Sequence, residues 1–189
     1  MVEGLEIRYV DPVTEEARQH RATVLFVDDE INILSSLKRL FRPVGYSVLL
    51  ANNVEEGLEL LNRESVDLVV SDMRMPKMNG AVFLAEVKNQ WPEIVRILLT
   101  GYEDVRSIVE AINSGEIFKY VNKPWNDDEL ISTVKIGLEC RFADEEREKL
   151  LRLLHLQNKE LTAKTMALQT ALEEIETLKG IIPICSYCH

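Results

Sequence analysis

Five positions in this sequence carry side chains that could do chemistry together: Asp28 and Asp29, Asp72, Thr100 and Lys123. Each follows closely on a short apolar run, so in a sheet they would gather at strand ends. Three carboxylates brought to one place repel one another, and a fold tolerates them when they are solvated, protonated or bridged by a cation. Oxygen-only ligands at a shallow, partly hydrated site suit Mg²⁺, which keeps several waters and shares phosphate oxygens. A lysine and a threonine hydroxyl opposite such an ion would complete a cradle for a phosphoryl group, whose transfer is mainly positioning plus charge neutralisation. The central carboxylate could then act as a nucleophile and form an acyl phosphate. Taken singly, each residue has an ordinary explanation. Asp28-Asp29-Glu30 could cap a helix, Lys123 could be a solvated loop lysine, and Thr100-Gly101 could be a plain turn. Their coincidence at successive strand ends is what argues for a site.

The elements that must position these residues are legible as periodicities. Thr23 to Val27 reads as a strand, and from Ile31 the apolar residues Leu34, Leu37, Leu40 and Phe41 recur at helical spacing until Pro43 and Gly45. Tyr46 to Leu50 is a second strand and Val54 to Leu61 a second helix. Asp67 to Ser71 is a third strand that runs into Asp72 and is broken by Pro76, with Gly80 closing the turn. Ala81, Phe83, Leu84 and Val87 mark a third helix, Ile94 to Leu99 a fourth strand, Glu103 to Asn113 a helix and Ile117 to Val121 a fifth strand. A long helix begins after Pro124, with Asn126 or Asp127 as its cap. Continuous apolar strands alternating with helices predict a parallel sheet covered on both faces, an α/β fold whose ligands sit at the carboxyl ends of the strands.

A chain of 189 residues has room for one ordinary domain and something more, and its net charge of −10 argues against a nucleic-acid surface. No run is long and apolar enough for a membrane helix, and Met1-Val2-Glu3-Gly4 does not open a signal peptide, which predicts a cytoplasmic protein. Three cysteines make no disulfide framework. Residues 1–21 read as an extension, with a short strand at Leu5 to Val10.

Asp28-Asp29, Asp72 with Met75-Pro76 and Gly80, Thr100-Gly101 and Lys123-Pro124 together resemble the signature set of the receiver domain of two-component response regulators, over residues 22–142. The resemblance implies a flavodoxin-like sheet with strand order 2-1-3-4-5. It implies Asp72 as the phosphoacceptor and Mg²⁺ held by Asp28, Asp29, Asp72 and the backbone carbonyl of Arg74. Lys123 would pair with phosphoryl oxygens and Thr100 would move to meet them. Tyr120 matches the family's aromatic switch residue, although a tyrosine there is more often core. Arg74 and Tyr102 flank the expected phosphate and are expected to tune hydrolysis of the acyl phosphate. Such a domain catalyses only its own phosphorylation and dephosphorylation, and no output enzyme is recognisable in the chain.

Beyond the domain, over 143–180, Leu154, Leu161, Leu168, Ile175 and Ile182 recur every seven residues, with Leu151, Asn158, Thr165, Leu172 and Lys179 three before each. That heptad predicts a coiled coil, and Asn158 at an a position favours a parallel homodimer in fixed register. The alternative is one amphipathic helix folded back on its own domain. The tail, 181–189, ends in Cys185-Ser-Tyr-Cys188-His189, the spacing of c-type haem attachment and an incomplete zinc set. It resembles a short stretch of bacterial signalling proteins that links a coiled coil to a further region, so the chain reads as a fragment or a short form.

The expected function is a phosphorylation switch: a histidine kinase or phosphotransfer protein donates to Asp72, and the face of the 103–113 helix, fifth strand and long helix rearranges towards an unidentified effector. A phosphorylation-independent scaffold is the alternative. A small phosphate-ester hydrolase is weaker, because no substrate pocket is evident.

Overall fold

The computed structural model describes residues 21–101 and 117–181. The expected strand at Leu5 to Val10, Tyr102, the 103–113 helix and the Cys185, Cys188 and His189 tail lie outside the described residues. Their order is β1 (Thr23–Val27), α1 (Ile31–Phe41), β2 (Ser47–Ala51), α2 (Val54–Arg63), β3 (Leu68–Asp72), α3 (Gly80–Gln90), β4 (Val95–Thr100), β5 (Lys119–Asn122) and α4 (Asp127–Ile181). The five strands are parallel in the order β2-β1-β3-β4-β5, the flavodoxin-like arrangement.

Burial on both faces explains why the strands are apolar without alternation. Leu25, Val27, Val69 and Leu98 enter a cluster with Val54 and Leu61 of α2 and Phe83, Leu84 and Val87 of α3. On the opposite face the Phe26 ring lies 5.0 Å from that of Phe41 in α1. Leu130, Val134 and Leu138 of α4 are buried, and Gly137 lets α4 approach closely, since a Cβ there would stand 3.0 Å from Val95 and 3.1 Å from Leu68. Each such buried aliphatic or aromatic side chain contributes about 1.5–3 kcal/mol.

Helix starts use side-chain caps where loops permit. Asn53, Asn79 and Asn126 accept backbone N–H bonds at the starts of α2, α3 and α4, so Asn126, not Asp127, caps the long helix. Several strand bounds shift by one or two residues from the sequence reading. β5 starts at Lys119, not Ile117, and β2 at Ser47, not Tyr46. Strand pairing decides these ends, and apolar character continues past it at Ile117 and Phe118.

The chain divides into two units between Arg141 and Phe142. The second is described as helix from Phe142 to Ile181, and Leu151, Leu154, Asn158, Leu161, Leu168, Leu172 and Ile175 are all exposed. Among the described residues no helix is long and apolar enough to cross a membrane.

Candidate functional site

Register builds the site. Val27 pairs with Ser71, Asp72 with Leu99, and Thr100 with Asn122, so Asp28, Asp72, Thr100 and Lys123 reach the same edge of the sheet on four neighbouring strands. Pro76 lies in the loop between β3 and α3, along the groove shared with Asp29. Gly80 is required there because a Cβ would run into the backbone carbonyl of Asp72, and its N–H donates to Met73 O at 2.9 Å. Lys77 takes a left-handed φ of 71° in the same loop and pairs on the surface with Glu55 at 3.0 Å.

The Lys123 ammonium lies 2.8 Å from Asp28 Oδ2 and 2.6 Å from Asp72 Oδ1, bridging two buried carboxylates. The remaining oxygens are also engaged. Asp28 Oδ1 accepts from the Glu30 N–H at 2.9 Å and Asp72 Oδ2 from the Arg74 N–H at 3.0 Å. The Lys123 N–H donates to Thr100 O at 2.7 Å, which ties the β5 loop to β4. Thr100 is fully buried and its hydroxyl donates to Gly101 O at 3.1 Å.

Charge states follow from this packing. Burial pushes the Asp28 carboxyl above its ordinary value of 3.8 against the opposing hydrogen bonds from Lys123 and Glu30, and the Asp72 charge adds to the rise. Burial alone would lower Lys123, but its bonds to Asp28 and Asp72, with their charges, hold it above 10.5. The lysine therefore carries its charge at neutral pH.

The acidic turn is not spent on capping, since Glu30, at the N-cap of α1, makes no side-chain cap bond. Asp29 is exposed, on the rim of a shallow groove it shares with Arg74, Lys77 and Asn79. Among the described residues no three acidic, histidine or cysteine side chains converge as a ready metal cluster; Asp28 and Asp72 share the Lys123 ammonium, and Asp29 is exposed beside them. The donor chemistry fits a hard ion: carboxylate oxygens beside an exposed rim that leaves room for water ligands. Tyr120 pairs with Leu98 across the sheet and is 39% exposed, outside the core.

Two contributors were not apparent in the sequence. Ser71 donates to the Asp72 carbonyl at 3.0 Å, and the Glu30 backbone holds Asp28. The first had only a polar residue in an apolar strand as its signal. The second, a backbone group, had none.

A family model described as the response regulator receiver domain matches residues 24–135. The hydrogenase transcriptional regulatory protein HoxA of Cupriavidus necator is 40% identical over 121 residues, covering 64% of this chain and 25% of that protein. The transcriptional regulatory protein GlrR of Escherichia coli is 38% identical over 118 residues, covering 62% and 26%. The chain thus spans about a quarter of the length of the curated relatives it matches. Among solved structures, the signal receiver domain of an HD domain-containing protein from Pseudomonas fluorescens Pf-5 aligns with a TM-score of 0.63 at 40% identity, over 66% of this chain and 99% of that one. A response regulator receiver domain protein from Clostridium thermocellum aligns at 0.58 and 35% identity, over 69% and 98%.

Proposed function

Because this chain belongs to the response regulator receiver domain family, we propose that Asp72 is the phosphoacceptor of a two-component phosphorylation switch. The observation that carries the reading is the buried Asp72 carboxylate at the tip of β3, with the Lys123 ammonium 2.6 Å away. An Asp72 oxygen attacks the phosphorus of a phosphohistidine on a sensor kinase or phosphotransfer protein. The O–P bond forms as the P–N bond breaks, and water later hydrolyses the acyl phosphate. Lys123 neutralises charge on the transferred group and orients it.

Receiver domains generally bind Mg²⁺, and here Asp28, Asp29, Asp72 and the Arg74 carbonyl would hold it. When bound, the ion supplies charge neutralisation on phosphoryl oxygens. Thr100 is the switch hydroxyl, and moving to a phosphoryl oxygen means leaving its present acceptor, Gly101 O. Tyr120, already exposed, is the aromatic partner of that change. Arg74, and Tyr102 outside the described residues, restrict the attacking water. The change passes along α4, which runs without a break from the buried Leu130 turn to the heptads, to a parallel homodimer seamed by Leu151, Leu154, Asn158, Leu161, Leu168, Leu172 and Ile175. An effector reads that change.

Incubation with Mg²⁺ and acetyl phosphate, read by intact mass, tests the site. A single phosphoryl adduct that Asp72→Ala loses supports the switch. An unmodified wild-type chain points instead to a scaffold, and repeated release of phosphate from varied esters points to a hydrolase.

A further inference from the structure

The helix over 142–175 carries a second face that seam pairing leaves uncovered. At 3.6 residues per turn, Glu145, Lys149, Leu153, Leu156, Glu160 and Lys164 fall within an arc of about 100°. From the middle of that arc the column of Leu154, Leu161 and Leu168 lies about 110° round the helix and that of Leu151, Asn158, Thr165 and Leu172 about 160°, so most of the arc stays open beside the seam. Leu153 and Leu156 are both more than half exposed at its centre. On either side the charges are ordered: Lys149 Nζ lies 2.7 Å from Glu145 Oε1, and Lys164 Nζ lies 2.6 Å from Glu160 Oε1.

Along the chain the order of these six positions is acid, base, leucine, leucine, acid, base, with Phe142, Glu146, Ala163 and Ala167 sharing the arc. Read backwards it is base, acid, leucine, leucine, base, acid. A second copy running antiparallel, with Leu153 opposite Leu156, therefore sets Glu145 against Lys164 and Lys149 against Glu160. A parallel copy in register would set lysine on lysine and glutamate on glutamate. We propose that this face binds the same face of a second copy of this chain in antiparallel orientation. Such a contact is isologous, each pairing occurring twice about a two-fold axis. It covers the leucines that a two-stranded seam cannot reach and links seam-paired dimers to one another. Four leucines and exposed ion pairs make a contact weaker than the seam, and salt weakens it further.

Sedimentation of the full chain over a concentration series tests this, with helix content followed by circular dichroism. Lys149→Glu and Glu160→Lys should each weaken the association of this face by about tenfold, because each sets like charges opposite one another twice. The double variant should return within about threefold of wild type, although it leaves both intrahelical pairs broken. Single variants without effect, or a double variant weaker than either single, overturn the proposal. Leu161→Asn separates this face from the seam. If it leaves a salt-sensitive two-copy species that Lys149→Glu removes, the face stands by itself. If Leu161→Asn abolishes all association while the charge variants do nothing, the face fails and the seam stands.

Discussion

The residues up to Arg141 and those after it treat the same amino acids in opposite ways. Phe83, Leu98 and Leu130 are fully buried, whereas Leu154, Leu161 and Leu168 are 55%, 63% and 66% exposed. Charges differ as well. Lys123 joins two buried carboxylates, while Lys149, Arg152 and Lys164 reach acids one turn away on the helix surface. The first region closes most of its apolar and polar groups within one chain and places a charged site at the sheet edge. The second is held as a helix by local bonds and leaves its apolar columns exposed.

The largest effect should separate the regions by what an alanine removes. Phe83→Ala empties space in the α2/α3 cluster and should cost about 3–5 kcal/mol in urea unfolding of the receiver region. Leu168→Ala should shift that unfolding by under about 0.5 kcal/mol and instead weaken self-association. Comparable losses of folding stability from the two variants would break the contrast, because Leu168 would then be packed against its own chain.

An intermediate effect concerns charge. Lys123→Met leaves Asp28 and Asp72 facing each other without the ammonium and should cost about 2 kcal/mol near neutral pH, less than a fully buried pair because Lys123 is partly exposed. Asp28 is already raised above 3.8 in the folded state, and the variant raises it further. A raised carboxyl takes up its proton on folding, so the variant loses stability as pH climbs from 3.8 through the folded value, and its deficit is small in acid. In the wild type the Lys123 contribution is complete below 10.5 and is lost as pH rises through its higher folded value. Unfolding of both proteins against pH checks the acid and alkaline limbs together. The exposed pairs of the second region, for example Lys164 with Glu160, should each contribute about 0.3–0.5 kcal/mol.

How much of this was legible follows the same division. Continuous apolar runs such as Val24 to Val27 gave away the parallel sheet, and the polar residues that ended them gave away its chemical edge, because strand ends and carboxylates are local signals. The role of Lys123 as a bridge between Asp28 and Asp72 was not legible. It depends on a contact across 95 residues. The outward position of Asp29, the left-handed Lys77 and the closeness of Gly80 to the Asp72 carbonyl are likewise products of tertiary packing. In the second region the heptad was plain, but a column in sequence says only where a surface is apolar. A partner chain is the reading proposed for it, and a column of leucines does not name that partner.

Asparagine supplies the finest test of the comparison, because the same side chain is placed in both regions. Asn126 spends its carboxamide oxygen on the Glu129 N–H at the start of α4, so Asn126→Ala should cost about 1 kcal/mol in receiver unfolding and leave self-association alone. Asn158 lies in mid-helix, where every neighbouring N–H already has a backbone acceptor, and its exposed amide has no capping work to do. At an a position of a parallel seam it would face its copy, limiting affinity while fixing register. Asn158→Leu should therefore leave receiver unfolding within about 0.5 kcal/mol, tighten self-association by about tenfold, and admit species larger than the dimer. Sedimentation equilibrium of the two variants decides it. If Asn158→Leu leaves association unchanged, position 158 lies outside any seam, and the apolar columns after Phe142 are closed by a partner other than a parallel copy.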